Sequence, residues 1–135
     1  MSTESTRAVM TRYFEDDDAA ASLMTDDVVY TRMATGEEHR GKEAVLAMLN
    51  SFYHVSFNGK AEAKNIFFAD QHAVGEWDFV GKHTGEFQGI PATGKSVRVP
   101  LCVVYDLEDD KIKRAHIYFE LPVLFKQLGI TTSDE

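Results

Sequence analysis

The chain has 135 residues, of which 44% are hydrophobic and 27% charged, with a formal net charge of −8 and a single cysteine. That length suits one domain spanning 1–135 with a substantial core, and the composition is that of a globular protein. The negative balance argues against binding nucleic acid or an anionic membrane through bulk charge. No apolar stretch approaches the roughly 20 residues of a membrane helix, and a lone Cys102 can make neither an internal disulfide nor a Cys-based zinc site. The start, MSTESTRAVM, is polar and acidic and does not read as a secretory signal, so a cytoplasmic, reducing compartment is expected.

In chain order, residues 3–15 carry Val9, Met10, Tyr13 and Phe14 at helical spacing and predict an amphipathic helix. Asp16–Asp18 interrupt it, and AAASLM predicts a short second helix. VVYTRM is β-branched and aromatic and predicts a strand, followed by a turn or loop over ATGEEHRG. KEAVLAMLNSFY places Ala44, Val45, Met48, Leu49 and Phe52 on one face of a third helix. Asn58-Gly59 signals a turn. Four strands then follow, in AKNIFFAD, AVGEWDFVGKHTGEF, SVRVPLCVVYDL and IKRAHIYFEL, with bulges expected at the internal glycines of the second. A helical turn in LPVLFKQLGI ends at Gly129.

Residues 89–96, GIPATGKS, match the phosphate-loop pattern G-x-x-x-x-G-K-S. The pattern works only between a buried strand and a helix whose N-terminus faces the phosphates. Here an alternating strand with Pro100 follows, so the segment reads as a loop between antiparallel strands, with Lys95 a solvated turn residue. The order of elements predicts an α+β fold: a cone-shaped, bent antiparallel sheet wrapped over three N-terminal helices, with an internal cavity.

WDFVGKHTGEFQGIPATGKS, beginning at Trp77, resembles the W-x-x-x-G-x-H-x-G-x-x-x-G-x-P-x-T-G segment of SnoaL-like polyketide cyclases. DDKIKRAHIYFELPVLFKQLG, beginning at Asp109, resembles their C-terminal pattern, with Glu120 where an Asp is usual. Asp27-Val-Val-Tyr and Gly41-Lys-Glu-Ala-Val fit the same scheme. The resemblance covers nearly the whole chain and implies the nuclear transport factor 2-like cone. That fold serves isomerases, cyclases, epoxide hydrolases and non-enzymes, and usually forms a homodimer, here expected through the outer sheet face.

By the same resemblance the acid–base Asp of the SnoaL-like cyclases falls at Ile117 and a partner His at Val103. The Tyr and Asn that hold water in the similar limonene epoxide hydrolase fall at Tyr30 and Arg32. Its Arg and Asp that grip the epoxide fall at Glu76 and Asp78, and its Asp base again at Ile117. Tyr30, Arg32, Glu76 and Asp78 are therefore the first candidate catalytic cluster: a Tyr donor, a carboxylate base and an Arg that sets their charge, as in ketosteroid isomerase-like chemistry. A structural ion pair is the competing reading of the same residues. His116 and Glu120, two positions from Tyr118 on either side, form the second candidate, which strand alternation places outside the cone unless a bulge intervenes. Val99, Leu101, Val103, Ile117 and Phe119 are expected to line the substrate cavity.

No histidine spacing fits a metal site, and neither metal nor cofactor is expected. The functions in view are isomerisation or aldol-type cyclisation of an apolar carbonyl compound, non-catalytic binding of an apolar small molecule, or a protein-interaction scaffold.

Overall fold

The computed structural model describes residues 2–130. Helix α1 (Thr3–Glu15) starts in a capping box, in which Ser2 and Ser5 each accept the other's backbone N–H. A 3-10 helix (Asp17–Leu23) follows, capped by the Asp16 side chain, and buries Ala19, Ala20 and Leu23. Strand β1 (Met24–Arg32) leads through a turn at 33–36 to a short strand β2 (Glu37–Arg40), which pairs back on β1 where the sequence predicts only a turn or loop. Helix α2 (Lys42–Asn50) runs into a π-helical stretch (Ser51–Ser56). Strands β3 (Phe57–Ala69), β4 (His72–His83), β5 (Ser96–Glu108) and β6 (Lys111–Phe119) complete the sheet, and α3 (Leu121–Gln127) closes the described chain.

The six strands lie in the order β2-β1-β6-β5-β4-β3, in one mixed α+β unit. All neighbours are antiparallel except β1 and β6, which run parallel and are joined by a long crossover through β2, α2 and strands β3 to β5. Alternation in β4 and β5 is nearly complete. Ala73, Trp77, Phe79 and His83 face in, as do Val97, Val99, Leu101, Val103, Tyr105 and Leu107. Two apolar clusters fill the concave side. One joins α1, β1 and α2 to the middle of the sheet around Met10, Tyr30, Val45 and Trp77. The other joins β3, β4 and α3 around Phe57, Phe79, Phe87 and Leu124.

Asn58-Gly59 is strand rather than turn. A side chain on Gly59 would come within 2.6 Å of the Phe79 ring, so the glycine is there to let that ring lie over the backbone. Gly75 serves Trp77 in the same way, since a Cβ there would stand 2.0 Å from the indole. The irregularity between β3 and β4 falls at Ala63/Asn65 instead of at the β4 glycines.

The GIPATGKS segment is a strand-to-strand loop, with Gly89 and Gly94 at positive φ and β5 beginning directly after it. It is tied to His83, whose Nδ1 accepts the Thr93 backbone N–H at 3.2 Å and whose ring stacks on Phe57. Lys95 is exposed in this loop, as expected, and it also has a partner. Its Nζ donates to the Leu128 carbonyl at 3.2 Å, placing a cation on the C-terminal end of α3.

Candidate functional site

Between the helices and the concave face of the sheet lies a cavity of about 650 Å³, within the range of small-molecule sites. Its walls are built from every layer. α1 supplies Tyr13 and Phe14, and β1 supplies Tyr30 and Arg32. α2 and the π-helical stretch add Leu49, Phe52, Tyr53 and His54. The sheet contributes Trp77, Leu101, Val103 and Tyr105, with Ile117 and Phe119 from β6. Asp17, from the 3-10 helix, is the one carboxylate in the lining among the described residues.

The polar centre is a pair of tyrosines. Tyr13 and Tyr30 meet hydroxyl to hydroxyl at 2.6 Å, and Tyr105 packs edge-on against both rings, at 5.8 and 6.4 Å between centroids. β1 buries Val28 and Tyr30 on its inner face, which aims the Tyr30 hydroxyl at the helix layer, where α1 places Tyr13 one turn past Met10. Burial pushes the Tyr13 and Tyr53 hydroxyls up to about 12. Tyr30 and Tyr105 rise well above the ordinary tyrosine value, first through burial and then through the neighbouring phenols. All four are therefore protonated at neutral pH and available as donors.

Tyr30 and Arg32 are brought together on the cavity wall, but the expected four-residue cluster is not assembled. Glu76 and Asp78 alternate with Trp77 and Phe79, so they stand on the opposite, outer face of the sheet. There Glu76 accepts from Asn65 Nδ2 at 2.9 Å. Asp78 bonds Arg98 at 3.0 Å and Lys64 at 3.5 Å, and the Arg98 bond holds its carboxyl below the usual range.

His116 pairs across from Val104 on that same outer face, and Glu120 lies exposed at the N-terminus of α3. Neither reaches the cavity. Of the expected lining, Leu101, Val103, Ile117 and Phe119 are in place. Val99 faces inward but is sealed in the second apolar cluster against Phe79, its cross-strand partner.

Sequence reasoning missed Tyr13, Trp77, Tyr105, Asp17 and His54 as cavity residues. Tyr105 shares the alternation of Leu101 and Val103, and Tyr13 sits on the apolar face of the first helix, so both carried a legible signal. Among the described residues no group of three or more His, Cys, Asp or Glu could hold a metal, and no helix is long and apolar enough to cross a membrane.

A curved sheet over helices, enclosing a cavity with apolar walls and a few convergent hydroxyls, defines a small-molecule enzyme or binding protein of the nuclear transport factor 2-like fold. The chain belongs to the SnoaL-like polyketide cyclase family, whose model matches residues 7–128. Similar solved structures include one from Jannaschia sp. CCS1 named as a SnoaL-like polyketide cyclase, with TM-score 0.85, 16% identity, and 96% of this chain and 94% of that chain covered. One from Silicibacter sp. TM1040, named as a polyketide cyclase, has TM-score 0.78, 25% identity, and coverage of 94% and 97%. A protein of ketosteroid isomerase-like fold from Catenulispora acidiphila, solved in complex with trimethylamine, has TM-score 0.74, 17% identity, and coverage of 91% and 93%. No curated protein matches the chain.

Proposed function

We propose that the cavity takes an apolar small molecule bearing a carbonyl group, that the Tyr13–Tyr30 pair hydrogen-bonds its oxygen, and that the protein promotes proton transfer at the adjacent carbon. The observation that carries this reading is the 2.6 Å hydroxyl pair inside a mostly apolar wall. In such a pair one hydroxyl donates to the other, and the acceptor keeps its own proton for a ligand. When a base removes a proton α to a carbonyl, negative charge builds on the oxygen, and preorganised donors in a water-poor site stabilise it. Isomerisation and aldol-type cyclisation both begin with that step. With Glu76 and Asp78 on the outer face, the candidate base is Asp17, an exposed carboxylate at the cavity lining, with exposed His54 lining the same space.

The test is exchange of α-protons in D₂O, followed by NMR over a panel of aryl ketones. The wild type is expected to accelerate exchange. Tyr30→Phe should slow it on the order of 100-fold, the usual cost of losing one oxyanion donor. Asp17→Asn should abolish it, and Asp78→Asn, on the far side of the sheet, should leave it unchanged. Unchanged exchange in a Tyr13→Phe, Tyr30→Phe double variant would sink the assignment.

Ile117 and Val103 favour a second reading, non-catalytic binding. Both are apolar and line the cavity where the resemblance to the cyclases places an acid–base pair. Trp77 is the single tryptophan and lies in the wall, so its emission reports occupancy directly. Ketone binding seen at Trp77 without α-proton exchange selects this reading over the first.

Outside the cone, half-buried Val74, Cys102 and Val104 sit beside exposed Tyr118, an arrangement that supports a homodimer through the outer sheet face. The unpaired Cys102 thiol on that face supports a reducing, cytoplasmic setting.

A further inference from the structure

We propose that Arg32 makes this cavity selective for an apolar acid, a ligand whose carboxylate sits on the guanidinium while its apolar body fills the aromatic wall. The inference rests on the cavity being a ligand site, as argued above, and narrows the class of ligand. Arg32 shares the inner face of β1 with Val28 and Tyr30 and lines the cavity, with its side chain only 23% exposed. Its ionic neighbour is Glu37, directly across the β1–β2 pair, but Nη1 stands 3.8 Å from Oε1, beyond hydrogen-bond distance. No hydrogen bond to the guanidinium exists among the described residues.

The guanidinium is half-buried, its nitrogens still reach solvent, and Glu37 is its one ionic neighbour among the described residues, so its donors are open to an acceptor that enters the cavity. Its planar fork matches a carboxylate in a bidentate geometry. Lys60, the other cation in the lining, is mostly exposed and lies 3.9 Å from Glu62, so it is turned toward the strand surface. Asp17, the one carboxylate in the lining among the described residues, repels a ligand carboxylate, whereas Arg32 attracts it. The Tyr13–Tyr30 hydroxyls stand on the same wall, Tyr30 two residues before Arg32, one strand pleat apart. A carboxylate on Arg32 therefore puts a carbonyl a few bonds away within reach of the tyrosines, which defines an oxo acid.

Isothermal titration calorimetry with benzoylpropionate and its methyl ester tests this at neutral pH. The acid should bind about tenfold or more tightly than the ester, as a charge-assisted pair implies. Arg32→Gln should bring the acid down to the ester's affinity while leaving ester binding intact, which also shows that the variant folds. Glu37→Gln should tighten the acid severalfold by removing the competing carboxylate. Equal affinity for acid and ester, or an acid preference that survives Arg32→Gln, overturns the inference and leaves the cavity reading standing. If neither compound binds and Trp77 emission does not move, both fall.

Discussion

Phe79→Ala should cost about 3–5 kcal/mol of stability, the usual range for removing a fully buried phenylalanine ring. Phe79 is 0% exposed. Its ring contacts Phe52 at 4.6 Å, Phe57 at 5.2 Å, Tyr53 at 5.5 Å and Phe119 at 5.9 Å between centroids, and lies over the Gly59 backbone. Neighbouring rings cannot collapse into the space without leaving their edge-on contacts, and the glycine offers no side chain to fill it. Urea unfolding followed by circular dichroism should show the midpoint falling with little change in slope, and melting should drop on the order of 10–20 °C. Because Phe52 and Phe119 also form part of the cavity wall, ligand affinity should fall as well. Phe79→Leu, which retains part of the volume, should cost clearly less. A loss under about 1 kcal/mol for the alanine variant would mean that the second apolar cluster is loosely packed.

The same strand shows how far the amino-acid pattern reaches. Alternation in WDFV and in VRVPLCVVY divides each strand into two sets, and those sets are the ones observed. Which set faces the cavity follows from chemistry as well: Trp77 and Phe79 belong inside, so Glu76 and Asp78 belong outside. The resemblance to the epoxide hydrolase points the same two carboxylates at the site, and here local alternation outweighs it. The Asp78–Arg98–Lys64 network gives them their actual setting, a charged outer face.

Other features depend on contacts distant in the chain. Strand β2 is short and polar, and only pairing with β1 makes Glu37–Arg40 a strand. The Asn58-Gly59 pair is a good local turn, overridden because β3 and β4 pair along their whole length and Phe79 needs the glycine. The Tyr13–Tyr30 hydrogen bond joins residues 17 apart on a helix and a strand. Alternation could place each hydroxyl on an inner face, but only the packing of α1 across β1 brings them together. Lys95 likewise acquires its partner, the Leu128 carbonyl, from a helix 33 residues away.

Alkaline unfolding should be steep, and it should report the tyrosine cluster directly. Four of the five tyrosines (Tyr13, Tyr30, Tyr53 and Tyr105) have their ionisation raised in the fold, mainly by burial. A phenol whose value is higher folded than unfolded holds its proton more tightly in the native state. Its contribution is complete below the unfolded value near 10 and is lost as pH rises through the folded value. For Tyr13 and Tyr53, raised from 10.0 to about 12, the loss across that window is on the order of 2–3 kcal/mol each. Together that is about 5 kcal/mol, comparable with the whole stability of many domains, before Tyr30 and Tyr105 are counted. The fold should therefore give way before these phenols ionise in place. Absorbance at the tyrosinate band should rise in one cooperative step that coincides with the loss of circular dichroism, between about pH 10 and 12. Replacing Tyr13 and Tyr53 by phenylalanine should move that step to higher pH. A smooth tyrosinate titration with the dichroism intact would show that water reaches the hydroxyls freely. The cavity would then lack the low-polarity wall on which hydrogen bonding to a ligand oxygen depends.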